Sequence, residues 1–208
     1  MARQSAVNTA IEYQLRIQGY IQVAGVDEAG RGSMAGPVVA AAVILPINID
    51  IPHLNDSKQL KPQKRNVLFD EINKKATAIG IGIVCHKLID KHNILQATFM
   101  AMKKALERLP FKPNYVIVDG NRAIPDLTIK QQAIVGGDGQ SASIAAASII
   151  AKVTRDRIMD NMHNRYPQYD FLSNKGYGTA AHQEVIFTQG LSPIHRKSFQ
   201  IKKQLKLF

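Results

Sequence analysis

What most constrains this chain is the order in which two kinds of apolar pattern alternate along it. Residues 21–27 (IQVAGVD) and 37–45 (PVVAAAVIL) are short strand-like runs joined by the turn-rich GRGSMAG, which predicts a hairpin. A helix opens at Pro62, a residue suited to the first helical position, and carries Val67, Leu68 and Ile72 at helical spacing. Ile79, Ile81 and Ile83 then alternate with Gly80, Gly82 and Val84, a strand with small residues on one face. Residues 94–109 read as an amphipathic helix stopped by Pro110, 115–119 (YVIVD) as a short buried strand, and 132–136 as a further strand candidate. Residues 143–163 form a long helix whose first half, SIAAASIIA, is apolar almost all round and hence central. A shorter helix over 179–188 is capped by Thr179 and ended by Gly190. The tail from Ser198 is a helix candidate, and Ile11, Leu15 and Ile17 mark a short amphipathic helix near the start. A hairpin followed by strands alternating with helices predicts an α/β layered fold with a mixed sheet.

A length of 208 residues fits one medium domain with ample core. The single cysteine, Cys85, excludes an internal disulfide framework and a Cys-rich metal site, suits a reducing compartment, and reads as a small buried side chain. No apolar run approaches the ~18 residues of a membrane span, and the first 20 residues lack a secretory signal, so a soluble cytoplasmic protein is expected. Lys and Arg number 27 against 16 Asp and Glu, a net charge of +11. Residues 139–208 hold 10 basic and 4 acidic side chains, so the excess is densest there. That balance argues for a polyanionic partner. Without Trp or a basic amphipathic stripe, nucleic acid is favoured over a membrane surface.

Against this basic background the placement of acids is informative. Asp27 and Glu28 close the first strand, Asp119 ends YVIVD, and Asp138 follows Gly136-Gly137 just before the central helix. Acids at strand ends lie at the sheet rim, where open α/β sheets present their sites. Converging carboxylates repel unless a divalent cation neutralises them, and all-oxygen ligation selects a hard ion such as Mg²⁺ or Mn²⁺. Two such ions about 3.5–4 Å apart can clamp the attacking and leaving oxygens of a phosphoryl displacement. Taken singly, Asp27 reads equally as a turn former and Asp138 as a helix cap. Gly30-Arg31-Gly32 beside the acidic pair allows close backbone approach to a ligand, with Arg31 as a phosphate fork. Lys175-Gly176-Tyr177-Gly178-Thr179 offers a Lys for phosphate and a Tyr face for stacking, or alternatively only a loop entering the next helix.

Six blocks carry a resemblance. AGVDEAGRGSMAGPVVAAAVIL, NDSKQL, YVIVDGN, GGDGQSASIAAASIIAKVTRD, NKGYGT with His182, and LSPIHRKSF occur in the order and spacing of prokaryotic ribonuclease HII, the type 2 ribonucleases H. The resemblance spans about residues 20–200. It implies an RNase H-like mixed β-sheet flanked by helices, with a small helical C-terminal region from about residue 160 and an extension over residues 1–19. It also implies a metal-dependent endonuclease that cuts RNA strands paired with DNA, including 5′ of single ribonucleotides in duplex DNA. Two Mg²⁺ or Mn²⁺ ions and 3′-hydroxyl and 5′-phosphate products come with it, as does a role in ribonucleotide removal during replication and repair. Carried over, the family's catalytic metal-binding acids fall on Asp27, Glu28, Asp119 and Asp138. Its 2′-hydroxyl-sensing turn falls on Gly30, Arg31 and Gly32, and its sugar-stacking tyrosine on Tyr177. Lys58 and Lys152 fall on the phosphate side. His182, His195 and Arg196 receive no role, the histidines reading as satisfied structural groups. A monomer is expected.

Within residues 201–208, Gln204 to Phe208 (QLKLF) resembles the short peptides that dock into the bacterial sliding clamp, or alternatively a terminal helix turn packed on its own domain. Two rival functions are weaker. An idle hybrid binder has no use for four acids near phosphate. The sister type, ribonuclease HIII, carries an added N-terminal domain, for which about 20 residues are too few.

Overall fold

The computed structural model describes residues 9–47, 49, 51–52, 54 and 60–199. In chain order the elements are α1 (Ala10–Ile17), β1 (Val23–Ala29), β2 (Val38–Ile44), α2 (Pro62–Lys75), β3 (Ala78–Val84), α3 (His86–Glu107), β4 (Tyr115–Asp119), β5 (Gln131–Ile134), α4 (Ala142–Arg165), α5 (Phe171–Asn174) and α6 (Ala180–Gln189). The sheet runs β3-β2-β1-β4-β5. β1 is antiparallel to β2, as is β2 to β3, whereas β1 with β4 and β4 with β5 are parallel. This is the expected mixed sheet with helices on its faces. No helix among the described residues is long and apolar enough to cross a membrane.

Small side chains decide how closely the layers approach. Ala40 and Ala42 of β2 lie opposite Gly82 and Gly80 of β3. A Cβ on Gly82 would meet the Ala101 carbonyl at 1.9 Å, and one on Gly80 the Ala105 carbonyl at 2.0 Å. The backbone of α3 therefore rests almost directly on the sheet, through its own Ala97, Ala101 and Ala105. On the opposite face the Ala-rich half of α4 packs with α2 over Ala41 and Val43. Burial of that half all round is what its sequence predicted, and Ser141 caps it by accepting from the Ile144 amide at 3.2 Å.

Two local expectations need correction. α3 begins at His86 rather than residue 94, with a kink where Asn93 adopts φ 67° and ψ 165°. The Asn93 side chain accepts from the Gln96 amide at 3.1 Å, a fresh cap where the periodic pattern starts. Cys85 is exposed, because it sits at the turn that opens α3. Residues 197–199 are not helical, and the Lys197 and Ser198 amides donate to the Asp90 carboxylate at 3.1 and 2.9 Å; the rest of the helix candidate from Ser198 lies outside the described residues. Residues 200–208, with the QLKLF segment, and Lys58 lie outside the described residues.

Candidate functional site

Strand register brings the acids together. β1 and β4 run parallel with Val26 beside Val118, so the next step places Asp27 beside Asp119. Asp119 is in turn level with Ile134 of β5. The chain then folds through a short 3₁₀ turn, Gly137–Gly139, which carries Asp138 to the foot of α4. The Gly137 amide donates to Asp119 Oδ1 at 2.7 Å, tying this turn to β4. One carboxylate oxygen from each of Asp27, Asp119 and Asp138 lies within 4.8 Å of the others. Asp27 and Asp138 are only 4% and 6% exposed.

Glu28, the fourth predicted acid, is outside that group. Successive side chains on a strand face opposite sides of the sheet. Asp27 thus faces α4, while Glu28 reaches the rim, where it lies beside Leu95 and Thr98 and also lines the cleft of Asp27 and Asp119. There its carboxylate accepts from Arg31 Nη1 at 3.1 Å.

The electrostatics call for a cation. Burial, then the charges of Glu28 and Asp119, hold the Asp27 carboxyl well above the usual carboxylate range, against hydrogen bonds from Ser148 and the Glu28 amide. Lys152 does not relieve this crowding, since its Nζ is bound to Asp156 at 2.7 Å. Three hard oxygen donors that converge within 4.8 Å of one another fit a divalent ion.

A cleft of about 220 Å³ opens beside the acids, with Gly30, Arg31, Lys152 and Tyr177 on its other side. Two buried arginines build that side. Arg196 donates to the carbonyls of Gly30 (2.7 Å), Arg31 (2.9 Å), Gly36 (3.0 Å) and Pro37 (3.1 Å). In a trans peptide the carbonyl of one residue and the amide of the next point in opposite directions. With the Gly30 and Arg31 carbonyls held inward, the Arg31 and Gly32 amides face away from the core, and neither donates to another backbone carbonyl among the described residues. Arg155 binds the carbonyls of Pro37, Ala35 and Lys175, and its guanidinium lies 5.2 Å from the Tyr177 ring centre. Gly30 has φ 94°, and a Cβ there would strike Arg155 Nε at 2.0 Å; a Cβ on Gly32 would meet nothing within 4 Å. The first glycine of the turn serves the fold, and the second leaves room for a ligand.

Sequence reasoning missed Ser148, Arg155 and Glu12. Glu12 of α1 is 1% exposed and accepts from the Ser141 hydroxyl at 2.6 Å and the Ser143 amide at 2.8 Å. The N-terminal helix thereby braces the turn that carries Asp138. A lone Glu on an otherwise amphipathic helix gives no hint of a partner 129 residues away. Ser148 and Arg155 were legible only as polar residues inside an otherwise apolar helix.

Comparison with known proteins agrees with this geometry. The sequence pattern of the Ribonuclease HII family matches residues 24–202. Ribonuclease HII of Geobacter sulfurreducens is 55% identical over 183 residues, covering 88% of this chain and 84% of that one. Among solved structures, ribonuclease H2 from Pyrococcus horikoshii superposes with a TM-score of 0.72 at 30% identity, over 86% of this chain and 94% of that one. Ribonuclease HII from Archaeoglobus fulgidus, solved in complex with PCNA, gives 0.72 at 26% identity, over 89% of this chain and 98% of that one. With the helix-flanked mixed sheet, the converging aspartates and a match over most of its length, the chain belongs to the ribonuclease HII family, metal-dependent endoribonucleases that hydrolyse RNA in RNA/DNA substrates.

Proposed function

We propose that this protein nicks a duplex on the 5′ side of a ribonucleotide, including a single ribonucleotide embedded in DNA, and leaves 3′-hydroxyl and 5′-phosphate ends. The observation that carries the reading is the convergence of Asp27, Asp119 and Asp138 beside the Gly30-Arg31-Gly32 turn, whose Gly30 and Arg31 line the same cleft. These three acids and Glu28 are the catalytic set and would hold two divalent ions, Mg²⁺ or Mn²⁺. When bound, such a pair supplies Lewis acidity and offsets the charge that builds on the scissile phosphate.

The remaining work falls to the chain's own groups. Ser148 and the Glu28 amide orient the Asp27 carboxylate. Arg31, exposed on one side, can exchange Glu28 for a backbone phosphate, which frees the Glu28 carboxylate to turn toward the other acids. The Arg31 and Gly32 amides donate to the ribose 2′-oxygen, the group that separates RNA from DNA. Tyr177 stacks on the following sugar, and Lys152, 5.4 Å from its ring centre, offsets phosphate charge. Lys58 is assigned to the phosphate side by the family pattern alone. Residues 20–200 form the catalytic unit of a cytoplasmic monomer, with α1 (Ala10–Ile17) bracing it through Glu12.

Duplexes carrying one or four ribonucleotides test the reading. The expected result is a Mg²⁺- or Mn²⁺-dependent nick immediately 5′ of the lone ribonucleotide, with an end that a DNA polymerase extends. Cleavage of the four-ribonucleotide duplex alone, or equal cleavage in EDTA, overturns it.

Gln204 to Phe208 supports a second reading, docking into the sliding clamp: three apolar side chains in five residues suit a groove, and the Archaeoglobus fulgidus relative was solved with PCNA. Truncation of residues 204–208 is expected to abolish clamp retention in a pull-down while leaving nicking of short duplexes unchanged. Equal retention removes the idea.

A further inference from the structure

Behind Tyr177 lies a chain of hydrogen bonds with a single consistent direction. His182 and His195 are buried, 1% and 2% exposed. The Ser192 amide lies 2.9 Å from His195 Nδ1, with the Ser192 hydroxyl on the same nitrogen at 2.7 Å. His195 Nε2 lies 3.0 Å from His182 Nε2, and His182 Nδ1 lies 2.8 Å from the Tyr177 carbonyl. The two ends fix everything between them. A backbone amide can only donate, so His195 Nδ1 carries no proton and its Nε2 does. A carbonyl can only accept, so His182 carries its proton on Nδ1 and accepts on Nε2. Both rings are neutral, of opposite tautomers, and every ring nitrogen is used. Burial keeps both rings easily neutral: it holds His182 below its ordinary range, and burial followed by the neighbouring His182 brings His195 down to about 4. A proton added to either acceptor nitrogen would set two N–H groups against each other.

The relay joins the segment around Ser192 and His195 to Tyr177, which borders the cleft. Its far end is built into the segment that pairs with the 34–36 loop, through the His195–Ala35 bridge and the Gly36 amide on the Ile194 carbonyl at 3.0 Å. Its near end holds the peptide of Tyr177, whose ring lies beside Lys152 and Arg155. Tyr169 and Phe171 pack against both imidazoles, with ring centres 5.0–6.3 Å away, and limit their rotation.

We propose that His182 and His195 are positioning residues for cleavage, a one-directional relay that fixes the Tyr177 peptide and so the height of the Tyr177 ring above the cleft. This rests on the reading of Tyr177 as a substrate-contacting face.

The test is a cycle of substitutions assayed on a duplex with one ribonucleotide. Asn at position 182 places an amide N–H where Nδ1 stood, and Gln reaches instead toward the Nε2 position. His182→Gln is therefore expected to lower kcat/KM about tenfold, mostly through KM, as loss of one stacking contact would. His182→Asn should recover most of that loss. In a Tyr177→Ala background, His182→Gln should change kcat/KM by less than about twofold, because the group it acts through is gone. Melting temperatures confirm that each variant is folded, and ¹⁵N imidazole spectra of the wild type should display one Nε2–H and one Nδ1–H ring. Additive losses in the double variant, or His182→Asn as poor as His182→Gln, overturn the relay while leaving Tyr177 in its role. A Tyr177→Ala enzyme with wild-type kcat/KM overturns the role of Tyr177 and the relay together.

Discussion

Asp119→Asn is expected to reduce Mg²⁺-dependent cleavage by roughly 10³-fold or more, about 4 kcal/mol of transition-state stabilisation, while the protein stays folded and still binds an RNA/DNA hybrid. The substitution is chosen because it separates charge from shape. Asparagine keeps an oxygen where Oδ1 accepts from the Gly137 amide, so the turn carrying Asp138 stays attached to β4. What disappears is one of three negative charges that meet within 4.8 Å. In the metal-free protein that loss is favourable, since Asp119 is one of the charges that hold the Asp27 carboxyl above its ordinary range. A buried carboxyl with a raised pKa contributes stability at low pH that is lost as pH rises through its folded value. At neutral pH in EDTA the variant should therefore melt at or above the wild-type temperature. Added Mg²⁺ should raise the wild-type melting temperature more than that of the variant. A folded Asp119→Asn enzyme with near wild-type turnover in Mg²⁺ would refute the assignment of the acids.

The sequence made the acids legible because they break a pattern: charged side chains at the ends of apolar runs in a basic chain need a reason to be there. It also made the long central helix and the glycine-faced strand legible, through burial all round in the one and period-two alternation in the other. Long-range partners were not legible. Nothing in LSPIHRKSF says that Arg196 will grip the carbonyls of Gly30 and Arg31, because a backbone acceptor has no sequence identity. Nor does a run of strand-like residues reveal on which side of a sheet each acid falls until the register is fixed. That is why the sequence groups Glu28 with the other acids without showing that its carboxylate rests on Arg31 at the rim of their cleft.

Gly25 reads in sequence as one weak residue inside a strand, yet the structure makes it the spacer between β1 and α4 beside the clustered acids. A Cβ at this position would lie 2.3 Å from the Ser143 carbonyl carbon and 2.4 Å from the Ile144 amide nitrogen. Both are backbone atoms of α4, which no rotamer change can move aside. Gly25→Ala must push α4 off β1 or bend the strand, and overpacking against backbone belongs at or beyond the upper end of the usual 1–3 kcal/mol. A cost of about 3 kcal/mol would lower the melting temperature of a chain this size by roughly 6–12 °C. The same displacement reaches the chemistry. Asp27 stands two residues along β1, and its partner Ser148 stands little more than one turn along α4 from Ile144, with Asp138 at the foot of that helix. Moving α4 by about 1 Å separates acids donated by the strand from the acid delivered by the helix, and a misplacement of that size costs on the order of 10²-fold in rate. Gly32→Ala is the matched control, because its added methyl meets nothing within 4 Å. It should leave the melting temperature unchanged, so that a Gly25→Ala protein as stable as Gly32→Ala would show that the sheet does not set the spacing of the acids.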